Sequence, residues 1–243
     1  MSRGVTNFHG SARGRDLESL PESVARLTQL VARRDADLEE IAAVVARDAE
    51  LSRRLLEIAN PRATGAGLFV VETIEEALLR AGLGCALLLT MSHPLTSAIV
   101  RTFRSMAGIQ LVRTPPEALT PLRGRHLRGT IGFHGRMEGT IELRMSLRAA
   151  RRVAATVLGI PPKDLETPDL LTDTVGELLN IVSGDFKSSL CNAGLGCRLS
   201  PPQVEETDEC HYPKKSDACF ECMAFRGPAL KLFVGIVVTQ WPC

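Results

Sequence analysis

Between Leu171 and Leu190 the apolar residues Leu171, Val175, Leu178, Leu179, Val182, Phe186 and Leu190 recur three or four positions apart. An α-helix with one buried face meets that spacing, because its side chains return to the same side about every 3.6 residues. At about 100° per residue, Asp173, Glu177, Asn180, Gly184 and Lys187 gather on the opposite side. The chain must therefore lay this helix on a core and leave an acid, an amide and a glycine along a free ridge. Taken alone, such a ridge is an ordinary solvated helix face. Its meaning depends on what surrounds it.

The flanking sequence supplies a layer for the helix to cover. Leu127 to Phe133 and Gly139 to Met145 read as paired strands about a glycine-containing turn near His134-Gly135. Ser146 opens a helix carrying Ala149, Ala150, Val153, Ala154 and Val157 to a stop at Gly159. After Gly194, the segments Ala218 to Phe225 and Leu230 to Val238 form a hairpin pattern about Arg226-Gly-Pro228. Upstream, Ser92 is placed to cap a helix with Pro94 in its first turn, running through Leu95, Ile99, Val100, Phe103 and Met106 to Gly108. Ile109 to Val112 suggests a strand, and Thr114 to Arg125, with three prolines, a loop. The expectation is an α+β domain over 92–243, with helices packed on an antiparallel sheet.

Residues 20–91 carry only helical patterning, so a short all-helical domain is expected there, behind a polar, disordered arm at 1–19. Val24, Leu27, Leu30 and Val31 mark a first helix opened by Pro21. Asp37 is placed to cap a second helix with Leu38, Ile41, Ala42 and Val45, and a third follows Asp48 with Leu51, Leu55, Leu56 and Ile58. The third stops at Asn60-Pro61, because proline disfavours helical geometry in the residue before it. Arg62 to Gly67 reads as a loop, Glu72 to Arg80 as a fourth helix, and Leu83 to Met91 as a short apolar one. That last segment has no Arg, Lys, Asn or Gln to reach base edges, which excludes a DNA-reading helix-turn-helix.

Composition narrows the function classes further. A net charge of +1 supplies no field for nucleic acid or an anionic membrane, and 4% aromatic residues supply no stacking platform. No uninterrupted run approaches the roughly 20 apolar residues of a membrane span. The first residues are polar, unlike a signal peptide, and the seven scattered cysteines suit reduced thiols in the cytoplasm. Cys219-Phe-Glu-Cys222 lies in an expected strand, where residues three apart face opposite sides, so a thiol pair is favoured over a zinc knuckle formed with Cys210 and His211. Cys85, Cys191 and Cys197 read as core or loop packing. The five histidines share no spacing with a nucleophile. The pairs Arg33-Arg34, Arg53-Arg54 and Arg151-Arg152 read as solvated helix faces.

Two resemblances add to this reading. Leu20-Pro21, Asp48-Ala-Glu-Leu51, the Leu55-Leu56 to Asn60 segment and Ile74 to Gly82 make residues 20–91 similar to the first part of the HDOD domain, a helical signalling module. The chain contains no His-Asp dipeptide, which fits a non-catalytic relative of the HD phosphohydrolases. Residues 92–243 resemble the CheX-like members of the CheC/CheX/FliY phosphatases, whose signature is an Asp or Ser, a Glu four residues on, an Asn three further, and a Pro about twenty residues later. Here these are Asp173, Glu177, Asn180 and Pro202, present once, within a matching order of elements.

That second resemblance implies a signalling protein that dephosphorylates the aspartyl phosphate of a CheY-like receiver domain. Asn180 would orient the attacking water, and Glu177 would pair with the receiver's active-site lysine. Asp173, Gly184 and Lys187 would lie on the docking surface, with Pro202 as a structural landmark. Magnesium would sit on the receiver, so no cofactor or metal ligand is implied in this chain. A homodimer formed through the sheet is also implied, with Leu230 to Val238 as a suitable edge. The alternative is a non-catalytic adaptor that binds receivers, or its own copies, through the same surface.

Overall fold

The computed structural model describes residues 22–33, 37–60, 70–161, 163, 165, 168–209 and 219–240. Pro21 and the arm expected before it, the side chain of Val31, the loop expected at Arg62 to Gly67, Cys210 and His211 lie outside the described residues.

Four short helices open the chain: α1 (Glu22–Ala32), α2 (Leu38–Ala46), α3 (Ala49–Ala59) and α4 (Ile74–Ala81). Each has one apolar stripe, and Leu27, Val45, Leu55 and Ala77 from the four are fully buried against one another. Asp48 caps α3 by accepting from the Leu51 amide at 3.0 Å, and it also accepts from the Ser23 hydroxyl at 2.7 Å, tying α3 to α1. Asp37 has the extended backbone of a cap, but its side chain makes no capping bond. Asn60, after α3, donates to the Val71 carbonyl and accepts from the Val71 amide, tying the end of α3 to the segment before α4.

Helix α5 runs unbroken from Leu83 to Ala107. The expected stop at Met91 and restart at Ser92 are absent, and Pro94 lies inside the helix. The reason is burial. Ala86, Leu87 and Leu89 pack into the N-terminal core, while Leu88, Met91, Leu95, Ala98, Ile99 and Phe103 pack into the C-terminal one. Two cores holding one segment outweigh the local cost of an interior proline. Ser92 caps nothing; its hydroxyl donates to the Leu89 carbonyl. Thr90, Ser92 and His93 interrupt the apolar run of this helix, yet the helix as a whole is long enough to cross a membrane. By length and mean hydropathy α5 is apolar enough, but 61% of its most apolar stretch is buried inside the protein, as in a core helix.

The C-terminal region follows as β1 (Val112–Thr114), a 3-10 turn at Pro116–Ala118, β2 (His126–Gly135), β3 (Glu138–Ser146), α6 (Leu147–Leu158), α7 (Pro168–Asn192), β4 (Cys197–Leu199), β5 (Gln203–Thr207), β6 (Cys219–Gly227) and β7 (Leu230–Gln240). The strands form one antiparallel sheet in the order β1-β6-β7-β3-β2-β4, with β5 also on β2. Helices α5, α6 and α7 cover one face, and alternate residues of β7 (Leu230, Leu232, Val234, Ile236) point into that core. On the opposite face Leu119, from the proline-rich loop, packs on Ala224 and Phe233.

The α+β layering matches the expectation, as do β2, β3 and the Ser146 cap, which accepts from the Ala149 amide at 3.2 Å. Two readings are corrected. Strand β7 pairs with β6 on one side and β3 on the other, so Leu230 to Val238 is central in the sheet and cannot be a dimer edge. Its continuous apolar run reflects burial between neighbours. Arg54 is no solvated helix residue: only 21% of its side chain is exposed, and it pairs with Glu221 of β6.

Candidate functional site

The predicted ridge exists as a surface of α7. Asp173, Glu177 and Asn180 are exposed, while Leu171, Val175, Leu178, Leu179, Val182, Phe186 and Leu190 are all buried. Phe186 is fully buried and meets Phe133 of β2 edge to face, with ring centroids 6.1 Å apart. Gly129 of β2 makes room for the helix: a methyl group there would come within 3.1 Å of Leu179 Cδ2. The ridge is therefore held from behind by packing, and among the described residues no side-chain hydrogen bond or ion pair engages Asp173, Glu177 or Asn180.

Glu177 and Asn180 sit three residues apart, neighbours across one turn of the helix. Gly184 lies one further turn along, and a methyl group placed on it would meet no atom within 4 Å. Lys187 follows, half-buried. From Asp173 to Lys187 the surface runs roughly 20 Å along the helix axis. Pro202 joins this group from another element: it lies between β4 and β5, and its Cγ is 3.9 Å from where a Gly176 methyl would stand. All six predicted residues thus belong to α7 or to the segment packed on it. Three form an exposed row, Gly184 and Lys187 extend it, and Pro202 buttresses the helix from the side.

Cys191, which reads as packing, is instead exposed and continues the row in the last turn of α7. It stands eighteen residues after Asp173, five full helical turns, so the same angular count finds it. Near it, a surface hollow of about 530 Å³ is lined by His134, Glu138, Cys191, Cys197 and Arg198. Burial pushes the Cys197 thiol up, as does nearby Cys191, against a smaller opposing effect of Lys187. Cys197 is therefore a poor nucleophile. Among the described residues no group of three or more His, Cys, Asp or Glu side chains is arranged to hold a metal ion.

A row of two acids and an amide, with free side chains on a rigid support, can enter a cleft in another molecule. It offers hydrogen-bond donors and acceptors and two negative charges. Such a surface suits a macromolecular partner rather than an enclosed small substrate.

Residues 127–226 match the family model described as chemotaxis phosphatase CheX, and residues 17–112 match the HDOD domain. The HDOD match thus extends through α5. Among curated proteins none matches the chain by sequence. Solved structures share the fold of the C-terminal region. The chemotaxis protein CheX from Vibrio vulnificus is 23% identical, with a TM-score of 0.53 over 61% of this chain and 95% of that one. A CheC-like superfamily protein from Shewanella sp. PV-4 is 22% identical, with a TM-score of 0.54 over 62% and 97%. The chain matched in a CheX-CheY-BeF3-Mg2+ complex from Borrelia burgdorferi is 22% identical, with a TM-score of 0.51 over 62% and 98%. This chain therefore joins an N-terminal region matching the HDOD domain to a C-terminal region with the CheX/CheC/FliY-like fold.

Proposed function

We propose that the α7 ridge docks into the active site of a phosphorylated receiver domain and promotes hydrolysis of its aspartyl phosphate, in a cytoplasmic chemotaxis or related two-component pathway. One observation carries this reading. Glu177 and Asn180 stand exposed and one turn apart on a core-anchored helix, inside the segment that matches the chemotaxis phosphatase model. The Borrelia burgdorferi complex, in which a protein of this fold is bound to CheY with BeF3 and Mg2+, supports the choice of partner.

The chemistry fits these residue types. Phosphoryl hydrolysis needs a water held in line and charge held in place, with little covalent help from the enzyme. The Asn180 amide both donates and accepts, so it can fix both the position and the orientation of a water. Being neutral, it does not repel the phosphoryl oxygens. Glu177, one turn away, would bond a lysine ammonium of the partner and fix the register of docking. Magnesium would be held by the receiver's own side chains. Gly184 keeps the neighbouring surface low, allowing the partner's backbone to approach.

Self-association, if through the sheet, would use the β1 or the β4–β5 edge, since β7 is paired on both sides. Sedimentation of a monomer at high concentration would remove it.

The test is the decay of a radiolabelled CheY-type phospho-receiver. Wild-type protein should accelerate decay over autodephosphorylation. Asn180→Ala should lose about 100-fold of that acceleration, the scale of a lost positioning interaction, without loss of thermal stability. No acceleration by the wild type, or full activity in Asn180→Ala, refutes hydrolysis. Receiver binding that ignores phosphorylation and survives Glu177→Ala with Asn180→Ala would identify an adaptor instead.

A further inference from the structure

The N-terminal helices touch the sheet through a small set of charges. Glu221 of β6 is 7% exposed, and one of its carboxylate oxygens, Oε1, accepts from two guanidiniums: Arg54 of α3 and, at 2.8 Å, Arg113 of β1. Arg54 also donates to the Ser92 hydroxyl of α5 at 3.1 Å, and Arg113 to the Thr96 hydroxyl at 3.3 Å. Residues 167 and 108 positions apart in sequence thus share one carboxylate, and four elements from both regions meet at it.

This arrangement is not explained by stability alone. Burial pushes the Glu221 carboxyl up, against the opposing pull of Arg54, Arg113 and Ser92. Burial likewise pulls the Arg113 guanidinium down, helped by repulsion from Arg54 and opposed by Glu221 and Glu50. Both charges are thus held where water would serve them better. A buried ion pair of this kind adds little net stability, so the docked arrangement is finely balanced, yet substituting one partner leaves the other buried and uncompensated and should weaken docking sharply. The guanidiniums remain within reach of solvent, because a cleft of about 710 Å³ opens beside them between the two regions. Its lining includes Arg53, Arg54, Glu50 and Glu57 of α3, where Arg53 pairs with both glutamates, together with Arg113 and Glu117 from β1 and the 3-10 turn. These charges balance, so the cleft has no bias toward an anionic ligand, and its role is to give water access to the junction.

We propose that Glu221, Arg54 and Arg113 form a charge latch that fixes the N-terminal helices against β6 and β1, and that its release lets α1–α4 open away from the sheet while α5 stays in the C-terminal core. This device stands whether or not the α7 ridge hydrolyses phosphate.

The test is hydrogen exchange read by mass spectrometry on the full chain, comparing wild type with Glu221→Gln, Arg54→Met and the double variant. Each single change should speed exchange in peptides from α3 and β6 by about ten-fold or more, the scale of a lost charge-assisted hydrogen bond, while peptides from α7 and β3 keep wild-type protection. The double variant should exchange like Glu221→Gln alone, since both changes break the same contact. Unchanged α3 and β6 peptides overturn the latch. So does a rise shared equally by β3, which would mean general loss of the core, or multiplying effects in the double variant. Should Glu221→Gln fail to fold, Arg54→Met decides alone, because Arg54 is partly exposed and leaves the sheet core intact.

Discussion

Replacing Gly184 with alanine sets the fold against the ridge. Gly184 lies in the interior of α7, where glycine is about 1 kcal/mol less favourable than alanine, mainly because it loses more backbone freedom on folding. The added methyl meets no atom within 4 Å, so nothing offsets that gain. Gly184→Ala should therefore stabilise the protein by about 0.5–1 kcal/mol, and raise its melting temperature by roughly 2–4 °C at most. At the ridge the sign reverses. A methyl inserted between two closely fitted surfaces costs on the order of 1–3 kcal/mol, so receiver-directed activity or affinity should fall about ten-fold or more. Gly176→Ala is the matched control. It lies on the same helix, but it is buried on the flank of the row, where its methyl would make ordinary contacts of 3.6 Å to Val204 and 3.9 Å to Pro202 rather than project from the ridge. It should stabilise similarly and leave receiver action unchanged. Gly139→Ala marks the other limit, since its methyl would overlap the Val237 carbonyl and the Phe133 ring, and it should destabilise. The measurements are urea denaturation and phospho-receiver decay on the same preparations. A destabilised Gly184→Ala refutes the open-space geometry, and a stabilised but fully active one refutes close docking at the ridge.

Other expectations follow from single contacts. Phe186→Ala should cost about 3–5 kcal/mol, because Phe186 is fully buried against Phe133, and denaturation should show it. Asp48→Ala should cost about 1–2 kcal/mol, since it removes the α3 cap and the bond from Ser23, while Asp48→Asn should retain most of the cap. The Asp48 carboxyl is pushed up by burial, but the Leu51 and Glu50 amides, Ser23 and His93 together hold it below its ordinary 3.8. Its charged form therefore stabilises the fold above that value, and the contribution is lost as pH falls through the lower native value. The stability gap between wild type and Asp48→Asn should accordingly shift toward the variant on acidification below about pH 4; a gap independent of pH would show that this charge is not coupled to folding.

The signature helix was legible because its information is local. Seven apolar residues on one stripe set which face is buried, and the same angular count set the ridge. The strand pair β2–β3 and the helix start at Ser146 were legible for the same reason, whereas the cap that Asp48 forms on α3 emerged only in the structure. What escaped was non-local. The order of strands depends on long connections, so the apolar run at Leu230 to Val238 showed burial without showing that both its neighbours were already present. The segment from Cys197 to Thr207 gave no strand pattern, and its two short strands are defined by pairing to β2. Arg54 looked like any helix arginine, since its partner lies 167 residues away. Pro94 and Ser92 sent the right local signal for a helix start, and tertiary burial overrode it.

That override changes what a division at residue 91 would mean. Helix α5 spans roughly 37 Å and lends residues to both cores, with Arg101 near its end 3.8 Å from Asp185 on α7. A fragment of 92–243 loses Leu88 and Met91 from its own core, and its Glu221 retains Arg113 but not Arg54. A fragment of 83–243 keeps the whole helix and exposes only Ala86, Leu87 and Leu89 of the other core. Burying a Leu or Met side chain is worth about 1.5–3 kcal/mol, so losing two removes on the order of 3–6 kcal/mol, a large share of an ordinary domain's stability. The longer fragment should therefore fold cooperatively, with a tendency to associate through its bared leucines, while the shorter should be markedly less stable or fail to fold. Urea denaturation of the two decides it. Equal stability would mean that the first turns of α5 belong only to the N-terminal core; a gap of the stated size would mean that they are a structural part of the C-terminal core as well.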